Sequence, residues 1–181
     1  MKRRIRIAAA SLMVAAGLIG AVAAPASTPS PSNAIGQAAA APTCKGVPAT
    51  IVASLGDDVT LGTPGLDVIV GSAGADVILS FGGNDLICAR KHADFANGGK
   101  GRDRIFGQEG PDDLNGRGGR DRLFGGKGSD FLLKGGKKAD VLRGGGKRDG
   151  LRGGGGADRL FGGKGNDSCK GGAGNDALLS C

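Results

Sequence analysis

From Gly62 onward the chain can be cut every nine residues, and the sixth residue of every row is aspartate. The rows read GTPGLDVIV, GSAGADVIL, SFGGNDLIC, ARKHADFAN, GGKGRDRIF, GQEGPDDLN, GRGGRDRLF and GGKGSDFLL, then one surplus residue, Lys134, then GGKKADVLR, GGGKRDGLR, GGGGADRLF, GGKGNDSCK and GGAGNDALL. Across these thirteen rows, position 8 is Ile or Leu in eleven, position 1 is Gly in eleven and position 4 is Gly in ten. A chain with 38 glycines and no Trp or Tyr would otherwise read as a disordered, low-complexity segment. A disordered linker has no reason to hold a nine-residue phase over 118 residues, so the chain is read as a repeat fold.

The phase has a direct physical reading. Positions 7–9 suit a short strand, whose side chains alternate between faces, so position 8 points one way and positions 7 and 9 the other. Position 8 is the most consistently apolar and is assigned to the core. Positions 1–6 are assigned to a turn, where glycine allows close backbone approach. Two rows make one coil of two strands and two turns. A single coil cannot bury its own core, so stability comes from stacking neighbours.

Stacking places aspartates 18 residues apart above one another, or 19 apart across Lys134. One column is Asp67, Asp85, Asp103, Asp121, Asp140, Asp158 and Asp176. The other is Asp76, Asp94, Asp112, Asp130, Asp149 and Asp167. Columns of like charge at strand spacing are unfavourable without a counter-ion. Carboxylates and turn carbonyls are hard oxygen ligands that suit Ca²⁺ with six or more of them. The histidine or cysteine ligands that zinc prefers do not occur at the required spacing.

The rows match the pattern G-G-x-G-x-D-x-U-x, where U is a large apolar residue. The chain thus resembles the hemolysin-type calcium-binding repeats of RTX proteins, over about two-thirds of its length. Its N-terminal sequence makes it similar to small exported repeat proteins of high-GC Gram-positive bacteria. The resemblance implies an all-β fold, a right-handed parallel β-roll with 18 residues per coil and a cap at each end. It also implies several Ca²⁺ ions between turns two rows apart, held by position-6 aspartates and by backbone carbonyls of positions 1 to 4. Carried onto this chain, the metal ligands are Asp67, Asp76, Asp85, Asp103, Asp112, Asp121, Asp130, Asp158, Asp167 and Asp176. Asp94, Asp140 and Asp149 stand apart. Row 4 lacks both of the pattern's glycines at positions 1 and 4, and rows 9 and 10 carry Lys138 and Lys147 at position 4.

The remaining segments divide the chain further. Lys2, Arg3, Arg4 and Arg6 precede an apolar run ending near Ala24-Pro25-Ala26, the layout of a cleaved secretory signal, assigned to residues 1–26. Residues 27–43 read as a Ser/Pro/Ala-rich linker, residues 44–61 as an N-terminal cap, 62–179 as the repeats and 180–181 as the C-terminal end. Within the cap, 47–52 reads as a strand and 53–61 as a decayed row with Asp58 in phase. The formal charge is +7, but four basic residues and no acid fall in the first 26, which leaves +3 for the rest. Four cysteines in an exported chain favour disulfides. Cys44 precedes the cap and Cys88 ends row 3, Cys169 sits in row 12 and Cys181 is last, so the expected pairs are Cys44–Cys88 and Cys169–Cys181.

Catalysis finds little support in these residues. His92 is the one histidine, no nucleophile-base pair is visible, and no glycine run matches a phosphate loop. Nucleic-acid binding is not expected of an exported chain without Tyr or Trp to stack bases, nor is stable membrane insertion once the signal is removed. A cell-surface or polysaccharide partner is an open alternative. Rows 5, 7 and 11 would align Arg104, Arg122 and Arg159 beside Phe106, Phe124 and Phe161 on one outer face, either as a binding surface or as a ladder that stabilises the sheet.

Overall fold

The computed structural model describes residues 40–56 and 59–181. The signal segment, residues 27–39 and Asp58 lie outside them. The described residues form strands and turns with no helix, and thirteen successive strands follow the rows. Strands from odd rows, with Ile51–Val52 added at one edge, make an eight-stranded sheet. Strands from even rows, with Val59–Leu61 added, make a seven-stranded sheet. Both sheets are parallel throughout, and each strand pairs with the strand two rows away. This is the β-roll that the row pattern requires.

The strands are longer than positions 7–9. From Arg104–Glu109 to Ser168–Ala173 they run six residues, and so pass through positions 1, 2 and 3 of the next row. Gly126 pairs with Gln108 and Lys127 with Glu109, which places the first glycines inside the ladder rather than in the turn. Two positions per row therefore face inward, 8 and 1, with only positions 4–6 turning the chain. The core is a single file of Ile69, Ile78, Ile87, Ala96, Ile105, Leu114, Leu123, Leu133, Leu142, Leu151 and Leu160, all essentially inaccessible to solvent. Each fully buried aliphatic side chain of this kind contributes about 1.5–3 kcal/mol.

Leu133 corrects the row frame. Counting nine from Gly125 puts Leu132 at the core position and leaves Lys134 as the surplus residue. The structure pairs Leu114 with Leu133 and Asn115 with Lys134. The surplus residue is taken up earlier, as a bulge after Asp130. The Phe131 amide donates to the Asp112 carbonyl at 2.9 Å, while Leu132 pairs with Asp113. Phe131 is thereby turned outward and is 73% exposed. A bulge at this point leaves the ladder from Leu133 to Lys137 continuous, whereas a surplus at Lys134 would interrupt it. The bulge also explains Gly150, which has no counterpart at position 7 of any other row. A β-carbon there would lie 2.7 Å from the Phe131 carbonyl oxygen.

The N-terminal segment also departs from the sequence reading. Residues 47–52 are not one strand. Thr43–Cys44 and Val47–Pro48 pair antiparallel as a hairpin, and Ile51–Val52 joins the odd-row sheet through Ile69 and Val70. The hairpin packs on the outside of that sheet instead of across the open end of the core. Cys44 bonds to Cys88 there, and Val68, Val70, Cys88 and Phe106 close a second small apolar cluster around it. Cys169 bonds to Cys181 at the other end.

Phe106 is only 8% exposed and lies parallel to Phe124 with ring centroids 4.6 Å apart. The Lys45 ammonium sits over the Phe106 ring, and the Arg143 and Arg159 guanidinium groups sit over Phe161. The ladder stacks ring on ring and cation on ring along the sheet, and its Phe106 end also packs with the hairpin.

Candidate metal centre

Each aspartate is the joint between one coil and the next. Its backbone amide donates to the Oδ1 of the aspartate one coil on, giving a continuous chain from Asp67 through Asp85, Asp103, Asp121, Asp140 and Asp158 to Asp176, at 2.8–3.0 Å. The second chain runs from Asp76 through Asp94, Asp112, Asp130 and Asp149 to Asp167, at 2.8–3.0 Å. The aspartate carbonyl accepts from the position-7 amide of the next coil, as Asp85 does from Arg104 at 2.8 Å. The two columns read from the sequence are thus two hydrogen-bonded ladders.

The other carboxylate oxygen has no such partner. The Oδ2 atoms of Asp85, Asp94, Asp103, Asp112, Asp121, Asp130, Asp140, Asp149, Asp158 and Asp167 are buried and accept no hydrogen bond from the protein. A buried, unpaired carboxylate oxygen is costly, and here the cost recurs at every step. Burial, with the neighbouring aspartates adding to it, raises Asp94, Asp103, Asp130 and Asp140 from the ordinary carboxylate value to about 7. Burial alone raises Asp112 and Asp121 to about 6 against the opposing backbone hydrogen bond. The same desolvation raises Asp85, Asp149 and Asp158.

Carboxylate and backbone oxygens crowd the glycines beside the ladders. A β-carbon on Gly125 would overlap Asp130 Oδ2 and lie 2.7 Å from the Gly144 carbonyl oxygen. On the position-4 side, the carbonyl oxygens of Gly83, Gly101 and Gly110 point so directly at Gly101, Gly119 and Gly128 of the next coil that a β-carbon there would overlap them. Among the described residues no three His, Cys, Asp or Glu side chains converge on a point. A cation in the ladder would therefore combine one or two carboxylates with carbonyls, the donor set of a hard oxygen-seeking ion. The residues fit such an ion, because it would satisfy the oxygens that the protein leaves unpaired.

The two ends of the ladders differ from the middle. Asp67 receives hydrogen bonds from the Thr63 amide and hydroxyl, and Asp76 from the Ser72 amide and hydroxyl. These two carboxylates, the first of the described ladders, are satisfied by the amides and hydroxyls of position 2 in their own rows. Asp94, Asp140 and Asp149, set apart in the sequence, sit in the same ladders with the same orphaned oxygen. Glycine loss has not changed the turn there. His92, Lys138 and Lys147 all adopt the positive φ of position 4, at 73°, 82° and 72°. The sequence could not show this, since these residue types rarely enter that region unaided.

Fold and ladder together define a parallel β-roll built of calcium-binding-type nonapeptides. Comparison with protein families matches the RTX calcium-binding nonapeptide repeat (4 copies) over residues 61–96, 97–132 and 144–178, more than half of the chain. The chain belongs to the RTX calcium-binding nonapeptide repeat family. The unmatched stretch between the second and third segments begins at Leu133, just after the bulge that breaks the nine-residue phase. No curated protein and no solved structure matches the chain.

Proposed function

We propose that this chain is an exported, calcium-dependent β-roll that serves outside the cell as a structural or interaction module and not as an enzyme. The observation that carries the proposal is the run of ten buried Oδ2 atoms without a partner, one per row from Asp85 to Asp167. Each step of a ladder would take one ion, and the residues that would hold it are the aspartates of adjacent coils with carbonyls of positions 1 to 4. Asp67, Asp76, Asp167 and Asp176 each flank one such step, and every other aspartate of the ladders flanks two. Calcium bound there supplies the positive charge and the oxygen coordination that the ladders need. The chain's own residues do the rest. Aspartate amides fix the spacing of the coils, carbonyls complete the ligand set, and the aliphatic file makes stacking favourable once carboxylate repulsion is relieved.

Export is supported by the basic and apolar N-terminal segment 1–26 and by two disulfides, which favour an oxidising compartment. Low calcium inside the cell would leave the chain unfolded and competent for export. A ligand that binds only the folded state stabilises it by mass action.

Ion counting tests the proposal. The oxidised roll, after dialysis in millimolar calcium, should retain several calcium ions per chain by native mass spectrometry. Asp103→Asn, which flanks two steps of one ladder, should lose one or two of them. Retention of no calcium, or equal displacement by magnesium, would reject the assignment of the ladders.

A further inference from the structure

The odd-row sheet covers its outer face with the hairpin and the stacked phenylalanines. Among the described residues nothing covers the even-row sheet in this way, and along its outer side runs a groove of about 730 Å³. Gly99, Gly118 and Gly136 lie among its lining and add no side chain to it. One wall is the position-9 ladder, in which Asn97, Asn115 and Lys134 lie side by side on adjacent strands. The other wall carries Lys100, Arg117 and Lys137. Leu79 and Phe81 close the N-terminal end, and Phe81 is 53% exposed. The groove crosses four strands, so its length is roughly 14 Å at the usual strand spacing.

We infer that this groove binds an acidic polysaccharide. Four cations line it and no Asp or Glu does. Asp113, at position 7 of the same sheet, acts on Lys134 from outside the groove's lining. Positive charge without acids selects an anionic ligand. A second observation narrows the class. Asn97 Oδ1 accepts from Arg117 Nε at 3.1 Å, but the neighbouring Asn115 Oδ1 is buried and accepts nothing from the protein. That atom needs a donor, which a sulfate ion lacks and a sugar hydroxyl supplies. The apolar end at Leu79 and Phe81 suits the C–H face of a sugar ring. A nucleic acid would need several aromatic platforms to stack its bases, and Phe81 is the one aromatic residue of the groove. The inference requires a folded roll but not that the aspartates bind calcium. A failure here leaves the calcium reading standing.

The test is titration calorimetry of the mature oxidised chain, in calcium and at low ionic strength, with a heparin oligosaccharide as probe. Dextran serves as the uncharged control and a short DNA duplex as the rival polyanion. Far-UV circular dichroism confirms the fold of each variant. Lys134→Glu with Lys137→Glu should weaken heparin binding at least about tenfold, since two charge-assisted contacts are lost. Lys127→Glu with Lys164→Glu, the same charge change on the opposite sheet, should change it less than about twofold. Asn115→Leu should weaken it about fivefold, the loss of one hydrogen bond, with the melting temperature unchanged. If the glutamate pair fails to fold, Lys100→Gln with Lys137→Gln carries the same expectation at lower charge. Equal weakening by both charge reversals would overturn the groove in favour of diffuse attraction. DNA binding as tight as heparin, dextran binding, or no effect of Asn115→Leu would overturn the polysaccharide assignment.

Discussion

Gly107 occupies position 1 of its row, and the space beside its α-carbon is already taken. A β-carbon there would overlap Asp112 Oδ2 and lie 2.8 Å from the Gly125 carbonyl oxygen. The glycine is kept because the ladder carboxylate and the next coil's backbone both converge on it. Rows 3 and 4 escape this with Ser80 and Ala89, both fully buried, and Ser80 puts its hydroxyl to use on the Gly98 carbonyl at 2.6 Å. Gly155 lies elsewhere in the cycle, with nothing within 4 Å of its would-be β-carbon. Gly107→Ala should therefore destabilise the calcium-loaded roll by about 1–3 kcal/mol, as overpacking does. Gly155→Ala should stay within about 0.5 kcal/mol of the parent. Thermal melts of the two variants, side by side, check this. Comparable losses in both would mean that glycine is kept for chain flexibility rather than for the carboxylate.

At the scale of the strand, the ten-residue row is the informative element. Phe131 and Gly150 are related by the bulge, since the outward displacement of Phe131 brings its carbonyl to 2.7 Å from where a Gly150 β-carbon would lie. Gly150→Val should cost stability in the parent chain, and the cost should largely vanish once Phe131 is deleted and the row returns to nine residues. A double-mutant cycle on melting temperature measures that coupling, and additive effects would contradict it. This element also marks the limit of what the sequence disclosed. The nine-residue phase was enough to place every row aspartate in its column and ten of the eleven file residues in the core, and the cysteines' places near the two ends pointed to both disulfides. It could not say where a tenth residue would go, because Leu132 and Leu133 are chemically alike and only ladder continuity separates them. Nor could it show that strands run on through positions 1 to 3, since glycine there reads as turn. The filled turns at His92, Lys138 and Lys147 were hidden too, because their conformation is imposed by the stacked coils on either side. The orphaned Oδ2 atoms left no mark in the sequence beyond the aspartates themselves.

For the whole molecule, the ladders make folding a matter of ionisation. A buried carboxyl whose folded pKa lies near 6 to 7 is neutral in both states below its unfolded value of about 4. As pH rises between these values the unfolded chain ionises first, so stability without calcium is fully present in acid and is lost through pH 6 to 7. The chelated chain should thus hold more β-structure at pH 4.5 than at pH 8, and calcium should remove most of that difference. Greater order at pH 8 in chelator would contradict the buried ladders. The disulfides divide by loop length. Their separations are 44 and 12 residues, which in the chain-entropy picture correspond to about 4 and about 3 kcal/mol. Replacing Cys44 and Cys88 with serine should lower the melting temperature more than replacing Cys169 and Cys181, the more so because the first pair also holds the hairpin on its sheet. Calcium acts on a larger scale than either. One site at ten times its dissociation constant adds about 1.4 kcal/mol, so eleven, one for each ladder step, add roughly 16 kcal/mol, as much as the stability of an ordinary domain. The most direct measurement is therefore a calcium titration of residues 39–181 at neutral pH, followed by far-UV circular dichroism with a magnesium control. The account predicts a cooperative gain of strand signal between about 0.1 and 1 mM calcium, the range of extracellular sites, and no transition with magnesium. A spectrum unchanged by calcium, or the same transition in magnesium, would contradict it.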